Sequence, residues 1–100
     1  MKLGILVNSA KHLDHVAGIC RAALARKHQV MIFAMDQGTR LLDAQAFVSL
    51  AALEGVSLAV CDHSAKLCGV DTEVLPPNIV CGSQLNNAMM NHDADRVIVL

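Results

Sequence analysis

Four cysteines, Cys20, Cys61, Cys68 and Cys81, are the residues of this chain best placed by type to do chemistry, with five histidines as the second resource. Cys61 has the most informative setting. It ends the apolar run Val56–Cys61 and leads into Asp62-His63-Ser64. A thiol that closes a strand and opens a helix has its thiolate stabilised by unpaired N–H groups, which lowers its pKa and makes it nucleophilic. His63 adds to that effect when protonated, whereas Asp62 opposes it, because a neighbouring negative charge raises a thiol's pKa. Free cysteine is also among the most buried residue types, so a purely structural Cys61 stands beside the reactive one. Strand-end placement balances the two.

The other thiols have weaker settings. Cys20 falls on the inward face of a helix and reads as core. Cys81 ends another apolar stretch before Gly82-Ser83 and is the second candidate thiol, expected to share a cleft with Cys61. Cys68 stands beside Gly69 at the end of a short helix and is a candidate to resolve an oxidised Cys61, although the spacing is not CxxC. The histidines do not assemble a metal site. No CxxC or HxxxH pair occurs, and His12 and His15 read as surface or capping residues. No metal and no cofactor is expected.

These residues need strands to end at one edge, and the pattern supplies them. Lys2–Val7, Val30–Met35 and Val56–Cys61 are continuous apolar runs, as strands buried on both faces require. Helical spacing runs from Leu13 to Arg26. Leu41 to Glu54 predicts one helix or two short ones closed by Gly55, and His63 to Leu67 a short helix ending at Gly69. Pro76-Pro77 marks a loop, Ile79-Val80 a brief strand, Ser83 the cap of a helix from Gln84 to about His92, and Arg96–Leu100 a last strand. Strand and helix alternate with short connections, so the fold class is α/β with a mostly parallel sheet of about five strands in one domain, residues 1–100. In such sheets reactive groups gather at the carboxyl ends of the strands.

Composition narrows the partners. The chain is 54 % hydrophobic and 17 % charged, against typical values of about 45–50 % and about 25 %. So little charge leaves apolar patches exposed, and such patches mark an interface. A homo-oligomer is expected. Net charge is −1 and the only aromatics are Phe33 and Phe47, so neither a basic stripe nor a stacking platform exists for nucleic acid. The first apolar run is too short for a signal-peptide core, and none is long enough to span a membrane. Reduced thiols and a cytoplasmic location follow. A Gly-rich phosphate loop, a GxxxxGK[ST] motif and the acid cluster of a receiver domain are all missing after the first strand.

Several segments together resemble the DsrE/DsrF/DsrH-like family, which includes the TusBCD sulfur-relay subunits. The opening strand Lys2–Val7, the strand and turn Val30–Gly38, the segment Cys61-Asp62-His63-Ser64-Ala65 with Gly69-Val70, the stretch Gly82 to Leu85, and the ending Ala94–Leu100 each look like their family counterparts. The family often has Arg before the closing Gly, where this chain has Cys68. The resemblance implies a flavodoxin-like three-layer sandwich and association into a trimer or hexamer. It also implies a cysteine persulfide on Cys61, filled by a sulfur-donor protein and emptied by an acceptor protein; His63 and Ser64, beside Cys61 in the chain, are candidates to support it through hydrogen bonding. Two other functions remain open on the residues alone: a non-catalytic oligomeric interaction subunit, and a small-ligand or nucleotide-binding module.

Overall fold

The computed structural model describes residues 1–100. Strand β1 (Lys2–Val7) lies between β2 (Gln29–Ala34) and β5 (Arg96–Val99); β3 (Val56–Cys61) follows β2, and β4 (Ile79–Gly82) forms the far edge. All pairings are parallel, in the order β4-β3-β2-β1-β5. The flavodoxin-like layering is present: a fully parallel five-stranded sheet with helices on both faces.

Connectivity decides which face each helix covers. The steps β1 to β2, β2 to β3 and β3 to β4 all move the same way across the sheet, so right-handed crossovers put their helices on one face. These are α1 (Leu13–Ala25), α2 (Gln45–Val48) and α3 (Asp62–Leu67). The step from β4 to β5 crosses back over the whole sheet, which sends α4 (Gln84–Asp93) to the opposite face. The two faces are unequal. On the first, 19 buried residues form one core, with Val16, Cys20, Phe47 and Leu50 packed on Ile5, Val30, Ile32 and Val60. On the second, Phe33, Cys61 and Met90 make a cluster of three.

The strands and α1, α3 and α4 keep the sequence boundaries to within a residue or two. The segment after β2 departs from expectation. Instead of helices over Leu41 to Glu54, it is a 3₁₀ helix at Asp36–Asp43, the single turn of α2, and a second 3₁₀ turn at Ser49–Ala52. Side chains compete here with the backbone for helical carbonyls. Thr39 Oγ1 donates to the Asp36 carbonyl at 2.8 Å and Ser49 Oγ to the Ala46 carbonyl at 3.2 Å. The start is also wedged against β1. A Cβ on Gly38 would lie 2.1 Å from the Val7 carbonyl oxygen, so only glycine lets the chain pass there. Asp36, at φ 48°, carries the left-handed turn that makes this approach.

Candidate functional site

The crossover pattern places a crevice where adjacent strands send their helices to opposite faces. That point lies between β3 and β4: α3 leaves Cys61 toward the large core and α4 leaves Gly82-Ser83 toward the other face. A cleft of about 690 Å³ opens there, lined by Met35, Asp36, Cys61, Asp62, His63, Ser64, Gly82, Ser83 and Gln84. Three strand ends contribute, those of β2, β3 and β4. Cys61, His63 and Ser64 are therefore brought together on one cleft.

Cys61 is only 4 % exposed yet lines the cleft. It packs with Phe33 and Met90, on the α4 side of the sheet. Burial pushes its thiol up, but four donors outweigh it: the Ser64 hydroxyl, the Ser64 N–H, the Gln84 amide and the His63 N–H together hold it below the ordinary thiol value. Cys61 occupies the N-cap position of α3 without closing a capping hydrogen bond. The attraction of such donors for the sulfur grows once the sulfur is charged. His63 thus acts through its backbone N–H, with its side chain exposed at the cleft, while Ser64 is buried and acts through both its groups.

Two carboxylates, Asp36 and Asp62, line the cleft, and Asp62 is tied locally. Asp62 pairs with Lys66 at 2.8 Å and accepts from Thr72 Oγ1 at 3.4 Å. Lys66, and to a lesser degree Thr72 and His63, hold the Asp62 carboxyl below its usual value. Asp62 is thereby occupied along its own helix, and its opposition to a Cys61 thiolate is blunted.

The other thiols lie elsewhere. Cys81 pairs with Val60 in the sheet, one position short of the Cys61–Gly82 pair, so its side chain takes the face opposite Cys61. It is exposed and does not line the cleft, which corrects the expectation that it would share it. Cys68 packs beside the large core, and its Sγ–H donates to the Asp36 carbonyl at 3.3 Å. Cys61 belongs to the cluster on the other face, so nothing places Cys68 as its resolving partner. Cys20 is fully buried in the core, as its helical position predicted; burial pushes its thiol up, and Arg21 offsets this in part.

Sequence reasoning missed Gln84 and Met35. Gln84 Nε2 donates to Met35 Sδ at 3.8 Å, at the mouth that also holds Cys61. The available clue was Gly82-Ser83-Gln84 at a strand end. Its helix cap was legible, but the neighbour across the crevice was not. The cap itself is a full capping box: Ser83 N–H donates to Asn86 Oδ1 at 3.0 Å and Leu85 N–H to Ser83 Oγ at 3.2 Å. Gly82 has no side chain to spare for it, since a Cβ would lie 2.0 Å from Asn86 Oδ1.

No group of His, Cys, Asp or Glu side chains in the structure has the proximity to hold a metal ion. No helix is long and apolar enough to cross a membrane. No protein-family model matches the chain, and no curated protein matches it in sequence. Solved structures do match. The ychN protein from E. coli superposes with a TM-score of 0.72 at 14 % identity, over 99 % of this chain and 97 % of that one. MTH1491 from Methanobacterium thermoautotrophicum, a protein of unknown function, superposes with a TM-score of 0.77 at 14 % identity, over 99 % and 98 %. At that identity the likeness is one of fold: this chain folds from end to end as those two proteins do.

Proposed function

We propose that this protein is a sulfur carrier of the sulfurtransferase type, working as a persulfide on Cys61 in the cytoplasm. The observation that carries the reading is a nearly buried thiol, at the switch-point crevice of the sheet, held below its ordinary pKa by four donors. Burial alone would do the reverse. The resemblance of the Cys61 segment to the DsrE/DsrF/DsrH-like family gives that thiol its chemistry.

The reaction is a sulfur displacement of the thiol–disulfide kind. The Cys61 thiolate attacks the outer sulfur of a donor persulfide, R–S–SH. A new S–S bond forms on Cys61, the donor's S–S bond breaks, and the donor leaves as its thiolate. An acceptor thiolate then attacks the outer sulfur and releases Cys61 as the thiolate again. No redox partner is needed, because one S–S bond is exchanged for another. Ser64 and the N–H of His63 stabilise the anionic forms at both steps. Incubation with a persulfide donor followed by intact-mass measurement should show one added sulfur atom, lost in Cys61→Ser. Wild type that gains none, or a variant that gains as much, refutes it.

A second reading, a non-catalytic interaction subunit, is favoured by one observation. Val80, Leu85, Met89 and Val99 are exposed on strand edges and on α4, where the sheet has its thinner cover. The two readings are compatible if the chain carries sulfur as a homo-oligomer, a trimer or hexamer that covers these residues. Light scattering of the purified protein tests the assembly, and a monomer at working concentration would exclude it.

A further inference from the structure

We propose that Gln84 is a positioning residue for Cys61: its side-chain amide rests on the Met35 thioether while Cys61 is a neutral thiol. It then turns to the Cys61 sulfur once that atom is charged, as thiolate or loaded persulfide. The inference deepens the reading of Cys61 as the reacting thiol and rests on it.

Three observations carry it. First, Gln84, Met35 and Cys61 meet at one cleft, and Gln84 Nε2 donates to Met35 Sδ, at 3.8 Å. A thioether is a weak acceptor, so little holds the Nε2 end of the amide there once a charged sulfur competes for it. Second, the backbone under Gln84 is pinned. The Ser83–Asn86 capping box fixes the first turn of α4, and Gly82 is held opposite Cys61 by the sheet register. The side-chain carbonyl is tethered too, Gln84 Oε1 accepting from Asn87 Nδ2 at 3.1 Å, so the amide Nε2 moves between neighbouring sulfurs by pivoting about that bond. Third, Met35 packs against the cluster of Phe33, Cys61 and Met90, so the resting place lies beside the thiol rather than in solvent.

The charged groups facing Cys61 leave this role unfilled. Asp36, from the turn after β2, and Asp62, from α3, are both acidic; Asp62 is bound to Lys66, and His63 is the remaining titratable side chain. The α4 side presents Ser83 and Gln84, with the Ser83 hydroxyl occupied by its cap. No lysine or arginine lines the cleft. From that side, a neutral amide is the donor within reach of a charged sulfur.

The experiment is the pH profile of iodoacetamide alkylation at Cys61 in the whole protein, read by peptide mass so that Cys20, Cys68 and Cys81 do not interfere. In Gln84→Ala the midpoint should rise by about one pH unit, slowing alkylation about tenfold below it while the high-pH plateau stays. Gln84→Glu keeps the shape and adds a negative charge, and should raise the midpoint further. Met35→Leu conserves volume and frees the amide, so it should lower the midpoint by about half a pH unit. The double variant should follow Gln84→Ala, because the Met35 effect acts only through the amide. A Gln84→Ala midpoint equal to wild type overturns the proposal, as does a Met35→Leu shift that survives in the double variant. A merely structural Gln84 would lower the melting temperature and leave the midpoint in place. Iodoacetamide delivers no sulfur, so this result is independent of sulfur loading. Wild type that alkylates as described but gains no sulfur from a persulfide donor would sink the carrier function and leave the Gln84 role standing.

Discussion

Cys20 and Cys61 are the two fully or nearly buried thiols of this fold, and they are driven in opposite directions. Cys20 sits in the large core between α1 and the sheet, where burial raises its pKa and only Arg21 offsets the rise. Cys61 has almost the same exposure at the edge of the small cluster, yet ends below its ordinary value. What separates them is the supply of donors. The core face offers α1 side chains packed for volume, while the strand end offers Ser64, the N–H groups of α3 and an amide from α4. A reactive thiol here is made by what points at it, not by how open it is.

The comparison can be broken most heavily from the core side. Leu50→Ala empties a fully buried position in the Cys20 region and should cost about 2–5 kcal/mol, read as a lowered denaturation midpoint. The Cys61 alkylation profile of the folded fraction should stay put, since Leu50 belongs to the other face. A matching shift at Cys61 would mean the two regions are not separable.

Ser64→Ala acts on the other half. It removes a side-chain donor from Cys61 and should move its alkylation midpoint up by about one pH unit, close to tenfold in rate at neutral pH. Cys20 should remain unreactive in both proteins. An unmoved midpoint would shift the whole burden to the backbone N–H groups and Gln84.

Stability against pH separates the two thiols by sign. Cys20 has a raised folded pKa, so its contribution is fully present below the ordinary thiol value and is lost as pH rises through the folded one. Cys61 has a lowered folded pKa, so its contribution is present above the ordinary value and is lost as pH falls through the folded one. The chain has no tyrosine, which leaves the thiols to dominate below the lysine range at about pH 10. Stability against denaturant should therefore fall off more steeply with rising pH in Cys61→Ser than in wild type, and less steeply in Cys20→Ala. Equal slopes would contradict the opposed shifts.

The smaller effects test the borders of the site. Gly82→Ala forces Asn86 out of the capping box and should cost about 1 kcal/mol, with a modest rise in the Cys61 midpoint as Gln84 loosens. Cys81→Ser should change neither sulfur uptake nor the Cys61 midpoint, because its side chain is on the opposite face of the sheet. A loss of uptake there would reopen Cys81 as a partner thiol.

Much of the fold was legible because its signals are local. Lys2–Val7 and Val56–Cys61 announce buried parallel strands by being apolar on both faces, and Ser83 announces a helix cap by type alone. The segment after Ala34 departs from its local signals because its outcome is not local. Leu41, Leu42, Phe47 and Leu50 have helical spacing, but the wedge of Gly38 against Val7 and the Thr39 and Ser49 side-chain bonds hold the chain in 3₁₀ turns. Cys81 departs from its local signal for a related reason. A strand end was visible, but the face depended on a one-residue register that only pairing with Val60 sets.

By itself the sequence determined the alternation of strand and helix, the burial of Cys20, and the position of Cys61 between a strand and a helix, since each follows from the residue types of a short window. Tertiary structure decided which helices leave to which face, and so where the crevice opens. It also decided that Ser64 and Gln84, from two different helices, converge on Cys61 while Cys81 turns away. The physical reason is that a sulfur's reactivity is a sum over donors brought within a few ångströms by the crossovers, and no window of neighbouring residues contains that sum.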